Sequence, residues 1–230
     1  MQTLTRTARQ TGLLYLGLAI TGALGFLTIR PILFADGDPA ATLANLAEHD
    51  LLARAGIALE LGVVLTQALT AAWSYRLFRT TDPVAAAGIA AFGLVNAVAI
   101  LGSTAALATA ADVAQQHVGD AAAGVQTLYL LSANCWAAGN LFFGLWLMPM
   151  GLCVLRSGWM PQTLGRLLIA GGCGYVIAAF VTFLLPTADL ATTLLAAPAS
   201  IAEFWMIGYL LIRGARQPAT PHPADLPAQS

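Results

Sequence analysis

The stretch VAAAGIAAFGLVNAVAILGSTAALATA, residues 84–110, carries no charged side chain over 27 residues. A helix needs about 20 apolar residues to cross the hydrocarbon core of a bilayer. Because lipid offers no hydrogen bonds to the backbone, a stretch of this length is typical of a membrane-spanning helix. It is too long and too uniformly apolar for a strand of a membrane barrel, in which apolar and polar side chains alternate over about ten residues.

Five further stretches have a similar length and composition. Together they predict six spans, at residues 12–34, 52–76, 84–110, 126–149, 164–186 and 190–212. The whole chain agrees, since 58% of its residues are hydrophobic and 9% are charged, whereas a soluble domain has about 25% charged residues. We predict an all-α transmembrane bundle over residues 1–213 and a proline-containing, disordered cytoplasmic tail over residues 214–230.

The basic residues, all arginine, lie mostly in alternate connections between the predicted spans. Eight of them flank the spans on one side of the membrane: Arg6, Arg9, Arg76, Arg79, Arg156, Arg166, Arg213 and Arg216. The other side has most of the acidic residues and only Arg30 and Arg54. This positive-inside pattern predicts an even number of spans with both termini in the cytoplasm. The alanine-rich, lysine-free composition suggests a GC-rich bacterial genome, and hence the bacterial inner membrane.

Prolines indicate how some of the helices begin and end. Asp38 followed by Pro39 is typical of an N-cap and first helical turn, and predicts a short interfacial helix in the loop over residues 35–50. We expect Pro149 to end or kink the fourth span at the arginine-rich side. Pro198 lies five residues before Glu203, and a broken helix beside an intramembrane carboxylate is typical of transporters.

Polar side chains inside the predicted spans are the candidate functional residues. Two are acidic, Glu60 and Glu203. Four carry an amide group: Gln67, Asn96, Asn134 and Asn140. A charge at the bilayer centre costs at least about 2.5–3.5 kcal/mol, so such residues face the bundle interior or water in most membrane proteins.

Three functions remain open for these residues. In the first, Glu60 and Glu203 are neutral or paired with the amide side chains, with Arg54 as a further partner for Glu60, and the protein is structural or accessory. In the second, the residues line a polar cavity of a small transporter or ligand-binding protein. The third is an intramembrane enzyme acting on a lipid or quinone, but the sequence shows no catalytic residues, neither a nucleophile–base pair nor a metal-ligand set.

The sequence predicts the lipid bilayer as the main partner. A net charge of −1 gives no indication of nucleic-acid binding. Cys135, Cys153 and Cys173 lie in apolar stretches without metal-ligand spacing, so we expect small buried side chains and no metal or other cofactor. A protein partner, a homo-oligomer and a small-molecule ligand all remain open.

The stretch GNLFFGLWLMPMGLCVLRSGWMPQTLGRLLIAGGCGY, residues 139–175, resembles the signature of an uncharacterised bacterial family of multi-pass membrane proteins, a domain of unknown function. The matching positions are Pro149, Gly151, Arg156, Ser157, Gly158, Trp159, Pro161, Gly165, Gly174 and Tyr175. Residues 11–16 and 37–45 are also similar, so the resemblance covers most of residues 9–213. It implies the fold and the membrane location, and it implies no activity.

Overall fold

The computed structural model describes residues 2–116, 119–185 and 187–215, and every regular element in these ranges is helical. The elements are α1 (Gln2–Ala23), a π-helical segment (Leu24–Ile29), α2 (Arg30–Leu33), α3 (Pro39–Glu48), α4 (Asp50–Phe78), α5 (Pro83–Gln116), α6 (Ala121–Ser157), α7 (Gln162–Leu184) and α8 (Asp189–Ile212). Six helical stretches are long and apolar enough to cross a membrane, the first running from Thr3 to Leu33. This confirms the predicted all-α bundle. The predicted tail lies almost wholly outside the described residues.

The short helix α3 begins as the sequence predicts. The Asp38 carboxylate accepts a hydrogen bond of 2.9 Å from the backbone N–H of Ala41, and Pro39 occupies the first turn. Leu46 buries its side chain beneath this helix. α3 packs against α6 and α5 at the end of the bundle that holds the acidic loops, which we call the acid-rich end.

Helix α6 does not end at Pro149, one of the two outcomes expected for that proline, because it continues to Ser157. Proline removes one backbone donor, and neighbouring helices commonly compensate for that loss inside a membrane bundle. The helix ends at Gly158, whose φ of 70° is left-handed and suits glycine. α8 likewise continues through Pro198, so the structure has no broken helix before Glu203.

The six spans form a closed ring in chain order. The first span packs against α4, then α4 against α5, α5 against α6, α6 against α7 and α7 against α8. α8 returns to α1, and this last contact is the least extensive of the ring. The polar residues that face inward therefore meet in the centre of the bundle.

Glycines allow the closest approach between α7 and its neighbours. A Cβ atom on Gly144 of α6 would lie 2.6 Å from the carbonyl oxygen of Gly172. A Cβ atom on Gly174 would overlap the carbonyl oxygen of Leu195 in α8. Small residues let backbones approach closely in this way where helices pack inside a membrane.

Candidate functional site

A buried ion pair lies in the half of the bundle nearer the acid-rich end. Arg30 Nη1 is 3.4 Å from Glu60 Oε1, and both side chains are only 8% exposed. Glu60 lies ten residues into α4, about 15 Å along the helix axis from its start. The pair therefore joins the end of the first span to the interior of the second.

Neutral donors from two further helices complete the shell of Glu60. Ser103 Oγ and Thr104 Oγ1, both on α5, lie 3.0 and 3.2 Å from Oε2. Trp136 Nε1, on α6, lies 3.1 Å from Oε1. A buried charge is tolerated when it is both paired and hydrogen-bonded. Glu60 meets both conditions.

Arg30 is held by aromatic rings as well as by its ion pair. Its Nη2 donates a hydrogen bond of 3.0 Å to Ser132 Oγ. Its Cζ atom lies 5.4, 6.0 and 5.0 Å from the ring centroids of Phe26, Phe34 and Tyr129. Cation–π attraction at these distances helps to hold the guanidinium group in place. A void of about 20 Å³ beside the ion pair is large enough for about one water molecule.

The π-helical segment determines on which side of the helix Arg30 lies. The backbone N–H of Arg30 bonds to the carbonyl oxygen of Gly25, five residues earlier, in place of the usual four. One residue of a regular helix turns the chain by about 100°. The extra residue in this turn therefore rotates Arg30 by about that angle relative to a regular helix.

A central cavity of about 380 Å³ adjoins the ion pair and is lined by all six spans. Trp136 separates the two, because it lines the cavity and also donates to Glu60. On the opposite wall, Tyr15 donates a hydrogen bond of 2.5 Å to Glu203. Leu27 and Phe204 line the cavity and are 71% and 67% exposed. The cavity therefore opens on the apolar surface between the first span and α8.

Amide side chains without partners line the cavity. The amide oxygen and nitrogen of Gln67 are buried and have no hydrogen-bond partner among the described residues. Asn96 and Asn140 also line the cavity, and neither forms a hydrogen bond with any described residue. Buried polar groups in proteins nearly always have a partner. Asn96 and Asn140 are therefore free to bond to a molecule in the cavity, whereas the Gln67 amide is fully buried.

The structure separates the residues that the sequence grouped together. Gln67, Asn96, Asn140 and Glu203 meet at the cavity, while Glu60 belongs to the ion pair. Asn134 instead lies exposed on the outer surface of α6. Neither glutamate is hydrogen-bonded to an asparagine, so the expected Glu–Asn pairs are wrong.

The expected partnership of Arg54 with Glu60 is also wrong. Arg54 is exposed and pairs with Asp50 at 2.8 Å, one turn earlier on α4. Six residues turn a helix by about 600°, which leaves Arg54 and Glu60 about 120° apart around the axis. The partner is Arg30, which lies inside the predicted span 12–34 although its charge was expected on the acidic side.

Sequence reasoning also missed the small hydroxyl residues and the aromatic donors of the site. Ser103, Thr104 and Ser132 are common in apolar helices, where their hydroxyl groups usually bond to the backbone of the same helix. Nothing in the sequence distinguishes Tyr15 and Trp136 from other aromatic residues. Of the cysteines expected to be buried, Cys153 is buried, Cys135 is half-buried and Cys173 is exposed.

A second ionic contact lies at the opposite, arginine-rich end of the bundle. Asp82 precedes α5 and accepts hydrogen bonds from the backbone N–H groups of Val84 and Ala85. It also pairs with Arg156, near the end of α6. The Ala85 N–H, with smaller contributions from Arg156 and Val84, holds the pKa of Asp82 below its ordinary value. This contact caps α5 and ties it to α6.

The chain belongs to the family described as Domain of unknown function (DUF4386), which matches residues 10–214. This confirms the resemblance to an uncharacterised family. Comparisons with curated proteins and with solved structures found no match. The family and the six apolar helices identify an integral, multi-pass membrane protein of unknown activity.

Proposed function

We propose that this member of the DUF4386 family binds a small molecule in its central cavity, within the membrane. The observation that carries the proposal is the pair of amide side chains, Asn96 and Asn140, that line the cavity without hydrogen-bond partners among the described residues. Ligand sites are commonly apolar cavities of about 300–1,000 Å³ with a few convergent polar groups. A cavity of about 380 Å³ with Gln67, Asn96, Asn140 and Glu203 on its walls fits that description.

The Arg30–Glu60 ion pair is not part of the proposed binding site. Glu60 is satisfied by Arg30 and by three neutral donors, so it has little capacity left for a ligand. We therefore assign ligand binding to Glu203 and the amides, and a structural role to Glu60. The opening beside Leu27 and Phe204 favours a ligand that enters from the lipid. Binding alone and transport are both compatible with such a site.

A cavity-filling variant tests the proposal. Ala19→Phe places a ring in the cavity, because Ala19 lines it, and Ala91→Phe is the matched control on the exposed surface of α5. Purified protein in lipid nanodiscs is heated with a panel of cationic, anionic and uncharged amphiphiles. A ligand at about 100 times its Kd stabilises by about 2.7 kcal/mol, which raises Tm by about 5–11 °C. We expect a shift in the wild type and in Ala91→Phe, and none in Ala19→Phe. Equal shifts in all three proteins, or none, would refute the proposal.

A second candidate function is that of an accessory protein with a protein partner or a second copy of itself. The observation that favours it is Asn134, an exposed amide on an apolar helix surface. Asparagine side chains hydrogen-bond across helices where these associate in membranes. Loss of a cross-linked complex in Asn134→Leu would support this function, and an unchanged complex would count against it.

We also propose that both termini are cytoplasmic and that the membrane is the bacterial inner membrane. The distribution of arginines between alternate connections supports this orientation. In a protein whose native cysteines are replaced by alanine, Asp36→Cys would react with a membrane-impermeant thiol reagent in spheroplasts. Thr80→Cys would react only after the membrane is permeabilised. The reverse pattern would invert the topology.

A further inference from the structure

The central cavity has one acidic group and lacks a basic one. Among its lining residues, the titratable groups are Glu203 on α8, Tyr15 on α1 and Tyr175 on α7, and none of the lining residues is lysine, arginine or histidine. α4, α5 and α6 contribute only uncharged side chains to the lining. The Arg30–Glu60 pair lies beyond Trp136 and is already balanced.

Glu203 therefore contrasts with Glu60 in the same bundle. Glu60 has a guanidinium built into the protein, whereas Glu203 accepts a hydrogen bond from Tyr15 and forms no ion pair with a described residue. An isolated carboxylate is costly in a low-dielectric site, and it becomes stable when it binds a proton or pairs with a cation. A cation that pairs with Glu203 would occupy the adjoining cavity.

Aromatic rings make the cavity suitable for an organic cation. Six lining residues are aromatic: Tyr15, Phe26, Trp136, Phe143, Tyr175 and Phe204. The rings of Tyr15, Trp146, Phe143 and Tyr175 each contact the next in that order, at centroid distances of 5.2–5.3 Å. Aromatic walls beside a carboxylate recognise ammonium groups through cation–π attraction, which strengthens when the cation is desolvated.

The position of the opening indicates that the ligand has an apolar part. Leu27 and Phe204 flank it on the bundle surface, so an entering molecule comes from the hydrocarbon. Across the cavity, Asn96 and Asn140 offer hydrogen bonds to a second polar group. The cavity thus suits a ligand with a positive charge and an apolar body, and it can accept one neutral polar group on that ligand.

We infer that the cavity binds a lipophilic organic cation, a protonated amine or a quaternary ammonium, whose charge pairs with Glu203 in competition with a proton. This inference rests on the proposed binding function and names the class of its ligand. When the cation leaves, a proton takes its place on the carboxylate. Binding of a cation with a fixed charge therefore weakens as the pH falls.

Two probes of the same shape test the inference. The first is (phenylbutyl)trimethylammonium, and the second is its uncharged isostere, in which a tert-butyl group replaces the trimethylammonium group. Binding to the full chain in lipid nanodiscs is measured by titration calorimetry, with empty nanodiscs subtracted and affinities referred to the probe concentration in the lipid. We expect the wild type to prefer the cation by at least about tenfold, which corresponds to about 1.4 kcal/mol.

Two variants test whether Glu203 causes the preference for the cationic probe. Glu203→Gln should bind both probes equally and lose the pH dependence, whereas Glu48→Gln, an exposed carboxyl on α3, should behave as the wild type. Equal affinity of the wild type for the two probes would overturn the inference even if Glu203→Gln fails to fold. The proposed function would still stand in that case if both probes bind the wild type and not Ala19→Phe. Failure of the cationic probe to bind the wild type overturns the inference, and the amphiphile panel then decides on the function separately.

Discussion

Removing Glu60 should destabilise the protein more than removing Arg30, although the two residues form one ion pair. Glu60→Leu leaves a buried guanidinium for which the described residues supply one hydrogen-bond partner, Ser132. A guanidinium cannot escape by losing its proton. Arg30→Leu leaves a carboxyl that keeps its three donors on α5 and α6, and a carboxyl can bind a proton.

The magnitudes follow from these contacts. Removing one partner of a buried ion pair costs about 3–5 kcal/mol, which we expect for Glu60→Leu. For Arg30→Leu we expect about 1–3 kcal/mol, the cost of leaving a buried group imperfectly bonded. In a chain of this size, these losses lower Tm by about 6–20 °C for Glu60→Leu and by about 2–12 °C for Arg30→Leu. The double variant should be more stable than Glu60→Leu alone, because it contains no unpaired charge.

Thermal unfolding in one detergent, followed by tryptophan fluorescence and circular dichroism, measures the differences. Arg54→Leu is the control, since its ion pair with Asp50 is exposed and such pairs contribute less than about 1 kcal/mol. The reasoning is refuted if Glu60→Leu is no less stable than Arg54→Leu. It is equally refuted if the double variant is less stable than Glu60→Leu.

Two further predictions concern helix packing and pH. Gly174→Ala should lower the stability by about 1–3 kcal/mol, because the added Cβ atom would overlap α8. Its control is Gly208→Ala, whose Cβ atom would meet no atom within 4 Å and which should be neutral or stabilising by up to about 1 kcal/mol. Thermal unfolding compares the two variants, and equal losses of stability would contradict the close packing of α7 against α8. Because Ala85 and Arg156 lower the pKa of Asp82, its carboxylate stabilises the fold at neutral pH and loses this effect as the pH falls through that lowered pKa. Asp82→Asn should therefore have a lower Tm than the wild type at neutral pH and approach it below about pH 3.9, and a constant difference would contradict this.

The spans were predictable from the sequence because each is a long apolar stretch bounded by charge or proline. All six predicted spans overlap an observed helix. The start of α3 was predictable for a local reason, since Asp38 caps a helix that Pro39 begins. The course of α6 through Pro149 was not, because neighbouring helices decide whether a proline ends a membrane helix.

The composition of the site was harder to predict. In a soluble protein the polar face of a helix points outward, but a helix in lipid is apolar on all sides, so its hydrophobic pattern does not mark the inward face. Nothing in the sequence therefore places Asn140 in the cavity and Asn134 on the surface. The partner of Glu60 depended on the π-helical segment before Arg30, which the sequence alone did not suggest.

The ring arrangement has a consequence for biogenesis. Neighbours in the ring are also neighbours in the chain, so each hairpin can pack in the order in which the ribosome delivers it, as domains do during synthesis. Among the contacts between neighbouring spans of the ring, only that between α8 and α1 joins spans that are distant in the chain. It forms after the last helix has entered the bilayer. Until then the cavity lacks the wall that carries Glu203, and a truncated or stalled chain exposes the opposite wall to lipid.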